Sequence, residues 1–304
     1  MHVNISTGPY TTVPRAVQPM TATDDGVEPP TLTGDDVMRI DDADFGADRV
    51  ALVTGAASGI GRATSLVLAA NGLTVVATDV DEDGLAGTRE RGQELGFPGD
   101  IHPEPADLTD DEDLEAAVEA AAGYGDLAYL ANIAGMQHIS PLEEFPMEVY
   151  DRMQDVMLRA PVYLSKLVLP HLRDSGGGCV GNMASVHGHY VTADKVAYNV
   201  AKFGLRGLTQ SIAAEGAGTV RSFSVSTGYV KTPLVTDQIP DTAEQRGISV
   251  QEVVEDVMLG QARTKDMMEP VDVGNLFAFG FSKHAHHLNG GDLLFDGGMT
   301  LTYE

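Results

Sequence analysis

The segment Arg49-Val50-Ala51-Leu52-Val53-Thr54-Gly55-Ala56-Ala57-Ser58-Gly59-Ile60-Gly61 runs from an apolar stretch into a turn that carries three glycines. Val50 to Val53 has the length and composition of a buried strand. Beyond the turn, Arg62 to Asn71 places Ala63, Leu66, Val67 and Ala70 at helical spacing among good helix formers. A strand, a glycine turn and a helix in that order make a place where backbone approaches a pyrophosphate closely and the first amides of the helix hold it. An ordinary strand-to-helix turn seldom needs three glycines. The segment therefore predicts a nucleotide site built from Gly55, Ser58, Gly59, Ile60 and Gly61.

Outward from that turn the pattern repeats. Thr74 to Thr78 reads as a second strand ending at Asp79, eighteen residues past Gly61. An acidic side chain there accepts hydrogen bonds from ribose hydroxyls and repels a 2′-phosphate, which favours NAD over NADP. Taken alone, Asp79 could equally cap a helix, with Asp81, Glu82 and Asp83 following it. A helix over Gly84 to Gly96 leads to a short strand ending in Ala106-Asp107-Leu108, placed to flank an adenine. Asp110 to Ala122 is helical, and Leu127 to Asn132 is a strand closing in Ile133-Ala134-Gly135. Helices are expected over Met147 to Asp155 and Ala160 to Leu172, with Pro161 marking a break or a first turn. Cys179 to Ala184, Val220 to Val225 and Gly290 to Phe295 complete the strands. Strand alternating with helix implies a parallel sheet with helices on both faces. Residues 232 to about 268 form a helical insertion, with Val250, Val253, Val254, Val257 and Met258 on one face, suited to a lid over a ligand.

The chain has 304 residues, 45 acidic against 19 basic, for a net charge of −26. That charge argues against nucleic acid or an anionic membrane as partner, and no apolar run is long enough to span a bilayer. It is either a well-solvated surface or an adaptation to a saline cytoplasm. One cysteine, Cys179, leaves no intrachain disulfide and points to a reducing, cytoplasmic setting. Residues 1–46, rich in Thr, Pro, Asp and Gly, read as a flexible or loosely docked tail. Val37, Met38, Ile40 and Phe45 would alternatively anchor an oligomer arm. His284, His286 and His287 lack a matching ligand constellation, so no metal site is expected.

With only six lysines, at 166, 195, 202, 231, 265 and 283, each one is informative. Tyr198 and Lys202 are four apart, so a helix puts phenol and ammonium on one face. A phenol with an ordinary pKa of about 10 is a poor base at neutral pH, and an adjacent cation favours its phenolate. Ser185, thirteen residues before Tyr198 and at the end of a strand, completes a proton-transfer site for an alcohol or ketone. A Tyr-x-x-x-Lys spacing alone is weak, since amphipathic helices produce many.

Thr54-Gly55-Ala-Ala-Ser-Gly59-Ile60-Gly61, Asn132-Ile-Ala134-Gly135, Ser185 and Tyr198-x-x-x-Lys202, all in this order, resemble the short-chain dehydrogenase/reductase family from residue 48 to about 300. The resemblance implies a Rossmann-like doubly wound parallel sheet of about seven strands in one domain, residues 47–304, and usually a homotetramer. It implies Tyr198 as general acid/base, Lys202 lowering its pKa and holding the nicotinamide ribose, and Ser185 polarising the substrate oxygen. It places NAD against Gly55 to Gly61, Asp79, Asp107, Leu108, Asn132, Ala134, Gly135, Tyr198, Lys202, Gly228, Val230 and Thr232. Within the family, Ala134 to Phe145, Ala184 to Gly188, Lys195 to Tyr198, Gly228 to Pro240 and Arg246 to Ser249 are similar to the members that act on D-3-hydroxybutyrate. Those members hold the substrate carboxylate at positions matching Gln137, His187, Lys195 and Gln238.

Chemistry agrees with that carry-over: a small carboxylate needs charge-assisted donors. Lys195, three residues from Tyr198, shares its face, although a solvated surface lysine is the commoner case, and His187 could be only a hydrogen-bonded loop histidine. The expected reaction is reversible oxidation of D-3-hydroxybutyrate to acetoacetate; another small hydroxy acid or polyol, or a cofactor-binding protein with decayed catalysis, are the alternatives. Two departures suggest the last: Met157 falls where the family has its catalytic Asn, and Thr227 where Pro precedes Gly228. Phe223 stands where Asn is common, and Gly291 and Met299 also differ from the usual closing pattern.

Overall fold

The structure, a computed structural model, describes residues 31–301. Seven strands form one sheet in the order β3-β2-β1-β4-β5-β6-β7, every neighbouring pair parallel. They are β1 Arg49–Thr54, β2 Thr74–Asp79, β3 Ile101–Pro105, β4 Asp126–Asn132, β5 Gly178–Met183, β6 Val220–Thr227 and β7 Gly291–Phe295. The order reverses between β1 and β4, and the crevice at that switch is where a doubly wound sheet receives a ligand.

The helices are α1 Gly59–Ala70, α2 Glu82–Glu94, α3 Asp111–Tyr124, α4 Met147–Gln154, α5 Ala160–Asp174, α6 Val196–Glu215, α7 Pro233–Thr236, α8 Gln238–Arg246, α9 Val250–Glu252 and α10 Pro270–Phe281. Alternation along β1 separates two cores. Ala51 and Val53 face Leu66, Val67 and Ala70 of α1 and Phe277 and Phe281 of α10. Val50 and Leu52 face Leu114 and Val118 of α3 and Leu164, Val168 and Leu172 of α5. Each fully buried Leu or Phe contributes about 1.5–3 kcal/mol. Cys179 is free and buried in the first core, and burial pushes its thiol up to about 12.

Helix α10 was not expected from the sequence. Its apolar residues wrap most of the way round: Val271, Val273, Phe277, Ala278 and Phe281 are all buried. Two glycines let it sit deep. A Cβ on Gly280 would come within 2.3 Å of the Phe223 ring, and one on Gly274 within 3.1 Å of the Ala63 carbonyl.

Residues 1–30 of the segment read as a tail lie outside the described residues. Residues 31–46, read as part of it, are docked. Val37 is buried, and Leu32, Ile40 and Phe45 pack against the first core. The Met38 amide donates to Asn275 Oδ1 at 2.8 Å, the Ile40 amide to Asn71 Oδ1 at 2.7 Å and the Lys283 amide to Asp42 Oδ2 at 2.6 Å. Of the expected apolar anchors, Val37, Ile40 and Phe45 thus serve this chain's own core, while Met38 is exposed. His284 is used in the same place, with Nε2 3.3 Å from the Asp41 carbonyl.

Candidate active site

The carboxyl ends of β1, β2, β4, β5 and β6 open into a cavity of about 440 Å³. Its floor is the glycine turn. Gly55 and Gly59 have φ of +70° and +50°, a left-handed region that costs other residues more. Gly61 has a different reason: a Cβ there would meet the Gly55 carbonyl oxygen at 2.0 Å. Backbone is therefore compressed against the start of α1, and the helix N-terminus faces the cavity, as a diphosphate requires.

Asp79, Asp107 and Leu108 line one end of the cavity. Asp79 is held by the amides of Ala57 and Asp81, both at 3.2 Å. Asp107 accepts from the Thr109 amide at 2.9 Å and hydroxyl at 2.8 Å, and those bonds hold its carboxyl below the usual range. Strand β3 stops at Pro105, earlier than expected, so Ala106 to Leu108 reach the cavity as loop. Toward the other end lie Ala134, Gly135, Ser185, Tyr198, Lys202, Gly228, Val230 and Thr232. The cavity thus joins a glycine cradle to an acidic end formed by Asp79 and Asp107, an arrangement a dinucleotide would fit.

Asn132 is the one expected cofactor contact that does not line it. It is buried between β4 and β5, where Nδ2 donates to Asn182 Oδ1 at 2.9 Å, so it ties strands together behind the wall. Arg152 and Val156, unexpected from the sequence, line the cavity from α4 and the turn after it, and Arg152 faces Asp107.

Ser185 ends the segment after β5, Tyr198 and Lys202 sit one turn apart on α6, and Ser185, Tyr198 and Lys202 line the same cavity. Lys202 Nζ lies 5.2 Å from the Tyr198 ring centroid and donates to the Met183 carbonyl at 2.7 Å. Burial sets the pKa values here. It pulls Lys202 down to about 8 and raises Tyr198, against a lowering by the nearby Ser185 hydroxyl. Removal from water is the largest influence on each of the two groups.

Gln137, His187, Lys195 and Gln238 lie outside the walls of the cofactor cavity. Gln137 Nε2 is 3.4 Å from Gln238 Oε1, which joins the loop after β4 to the lid. His187 Nδ1 is 3.4 Å from Ser185 Oγ, and Nε2 is 3.0 Å from Thr192 Oγ1. Burial, then Lys195 and Lys202, lower His187 to about 4, so it is neutral near pH 7 and not a cationic donor. Lys195 is partly buried and its pKa is lowered by that burial. Among the described residues no carboxylate forms a salt bridge with it. It is the charged member of the set.

Above these groups α8, α9 and the π-helical turn Val253–Met258 bury Ile239, Ala243, Val253, Val254 and Met258 against Val186 of the catalytic loop and Met299. The insertion is therefore a packed cover.

Comparison with known proteins agrees with this geometry. The family model described as short chain dehydrogenase matches residues 49–243. The chain belongs to the short-chain dehydrogenase/reductase family. It is 34% identical over 262 residues to D-beta-hydroxybutyrate dehydrogenase of Rhizobium meliloti, covering 83% of this chain and 98% of that one. An uncharacterized oxidoreductase of Bacillus subtilis is 34% identical over 254 residues, again 83% and 98% covered. The crystal structure of levodione reductase superposes with a TM-score of 0.78 at 29% identity, covering 85% of this chain and all of that one.

Two departures from the family pattern now have a physical account. Phe223 is fully buried and packs on Phe277 and Phe281 at centroid distances of 5.8 and 5.4 Å, filling the notch that Gly181 and Gly280 leave. Met157 is fully buried beside Tyr198 within a π-helical stretch, Asp155–Arg159, that joins α4 to α5 without a break. Its thioether relays no proton. Pro161, four residues on, has no N–H, so the Met157 carbonyl lacks its α-helical donor. The helix bulges at Asp155–Arg159, and Pro161 falls in the first turn of α5, as expected.

Proposed function

We propose that this short-chain dehydrogenase/reductase oxidises D-3-hydroxybutyrate to acetoacetate, reversibly, with NAD. The observation that carries the substrate is Lys195. It is a partly buried ammonium without a salt-bridging carboxylate among the described residues, one helical turn from Tyr198, in a chain of net charge −26. An anion needs such a donor to enter so acidic a protein. The Gln137–Gln238 pair supplies neutral donors, and the name of the Rhizobium meliloti relative is in keeping with the reading. Asp79, a carboxylate lining the cavity beside the glycine turn, supports NAD over NADP because it would repel a 2′-phosphate.

When bound, the nicotinamide supplies the hydride acceptor. Tyr198 takes the proton of the 3-hydroxyl as the C3 hydride leaves, so one two-electron oxidation releases one proton to the protein. Ser185 donates a hydrogen bond to the same oxygen as it becomes a carbonyl. Lys202, anchored on the Met183 carbonyl, holds a positive charge near the phenolate that forms. A phenol raised by burial stays protonated near neutrality and is there a proton donor, so oxidation should speed up with rising pH while reduction of acetoacetate runs well near neutrality. Assembly of copies belongs to the same reading, four by family resemblance. It is supported by exposed Leu294 and Phe295 on the edge strand β7 and by exposed Val162, Val200 and Phe203 on α5 and α6.

Replacing Lys195 by Ala removes one charged hydrogen bond to the carboxylate, worth about 1.5–3 kcal/mol. Steady-state kinetics should give a KM for D-3-hydroxybutyrate raised about 10- to 100-fold with KM for NAD unchanged. An unchanged substrate KM would exclude Lys195 as the anchor and favour an uncharged alcohol.

A further inference from the structure

The four proposed clamp residues come from three separate segments, and one backbone contact fixes two of those segments relative to each other. Asp194, just before Lys195, is one of two non-glycine residues with positive φ among the described residues, at +64°. That left-handed conformation turns its carbonyl toward the loop after β4, where the Ser140 amide donates to it at 2.9 Å. The loop, residues 133–141, has no helix or ladder of its own. It is pinned at its start by the amides of Ile133 and Ala134 on Thr54 Oγ1, at 2.9 and 3.1 Å, and near its end by the Ser140 contact. Gln137 lies between those pins.

The other side is equally fixed. Lys195 is the N-cap residue of α6, its carbonyl accepting from the Asn199 amide at 2.9 Å. Asn199 Nδ2 donates to the Thr192 carbonyl at 3.0 Å, and Thr192 Oγ1 contacts His187. The run from Thr192 to Lys195 is thus attached to α6, to His187 and, through the Asp194 carbonyl, to the Gln137 loop. The Asp194 carboxylate is not used: the side chain is exposed and forms no salt bridge with Lys195 among the described residues.

We propose that Asp194 is a positioning residue whose left-handed backbone sets the separation between Gln137 and Lys195, and so the width of the carboxylate clamp. This rests on the proposed function for the identity of the ligand, but not for the coupling between the two segments. Asp and Asn tolerate the left-handed region and Gly enters it freely, whereas a β-branched residue resists it.

The test compares Asp194→Gly, Asp194→Asn and Asp194→Val in the full chain. Gly and Val remove the same charge, so their difference isolates the backbone. Asp194→Gly and Asp194→Asn should keep KM for D-3-hydroxybutyrate within about twofold, while Asp194→Val raises it about tenfold with kcat and the Kd for NADH retained. In parallel, hydrogen exchange at the Ser140 amide should quicken in Asp194→Val only. Ser140→Pro, which deletes the donor and leaves Asp194 intact, should reproduce the raised KM, and it serves if the valine variant does not fold. Wild-type KM and Ser140 exchange in Asp194→Val overturn the proposal, as does Asp194→Gly losing as much as Asp194→Val. Should the wild type not turn over D-3-hydroxybutyrate, the substrate reading fails, and the exchange series alone decides the coupling.

Discussion

At the scale of single residues, the proposed chemistry rests on groups that the fold has taken out of water. His187 is the sharpest case, neutral at pH 7 because burial and two nearby lysines hold its pKa near 4 against an ordinary 6.5. Between those values the unfolded chain binds the proton and the folded chain does not, so stability is full above about pH 6.5 and is lost as pH falls toward 4. His187→Gln should therefore lose less stability than wild type over that window in urea titrations, and parallel pH curves for the two proteins would refute the burial argument. Ser185, Tyr198 and Lys202 were legible in sequence because the pair lies at one helical turn and the serine follows a strand. Thr192 and Arg152 were not. They reach the site through a loop and through a helix remote in sequence, and no local spacing marks either. The direction of the Tyr198 shift was also illegible, since desolvation depends on how much protein covers a group.

Among elements, the glycine turn and the alternating strands could be read because the hydrophobic period changes from two to three or four at each junction. All seven strands were anticipated, with ends moved by a few residues. Helix α10 escaped for the opposite reason: buried on most sides, it has no polar face to reveal a period, and Gly274 and Gly280 weaken its helical signature. Those glycines are requirements of packing. Gly280→Ala would force a methyl into the Phe223 ring, and overpacking of this kind costs about 1–3 kcal/mol. A thermal melt should place the variant several degrees below wild type. An equal or higher melting temperature would mean that α10 sits less tightly on β6 than described.

For the molecule as a whole, every lysine falls in the second half of a strongly acidic sequence, and two of the six belong to the proposed site. Such a charge destabilises the compact state through self-repulsion that salt screens over about 10 Å at 0.1 M and about 3 Å at 1 M. The melting temperature should rise from low to molar sodium chloride; a flat or falling curve would mean that the acidity is spread too widely to matter. The site's own cations remain useful under these conditions because burial shields Lys195 and Lys202 from screening.

The central claim is tested most directly by following NADH formation from D-3-hydroxybutyrate and NAD at low and at molar salt, with Tyr198→Phe alongside. The account predicts turnover by the wild type, little with NADP, and a loss of about 100-fold or more in the variant, the usual worth of a general acid/base. Folded, NAD-binding protein that forms no NADH at either salt concentration would contradict it, as would a Tyr198→Phe variant that remains fully active.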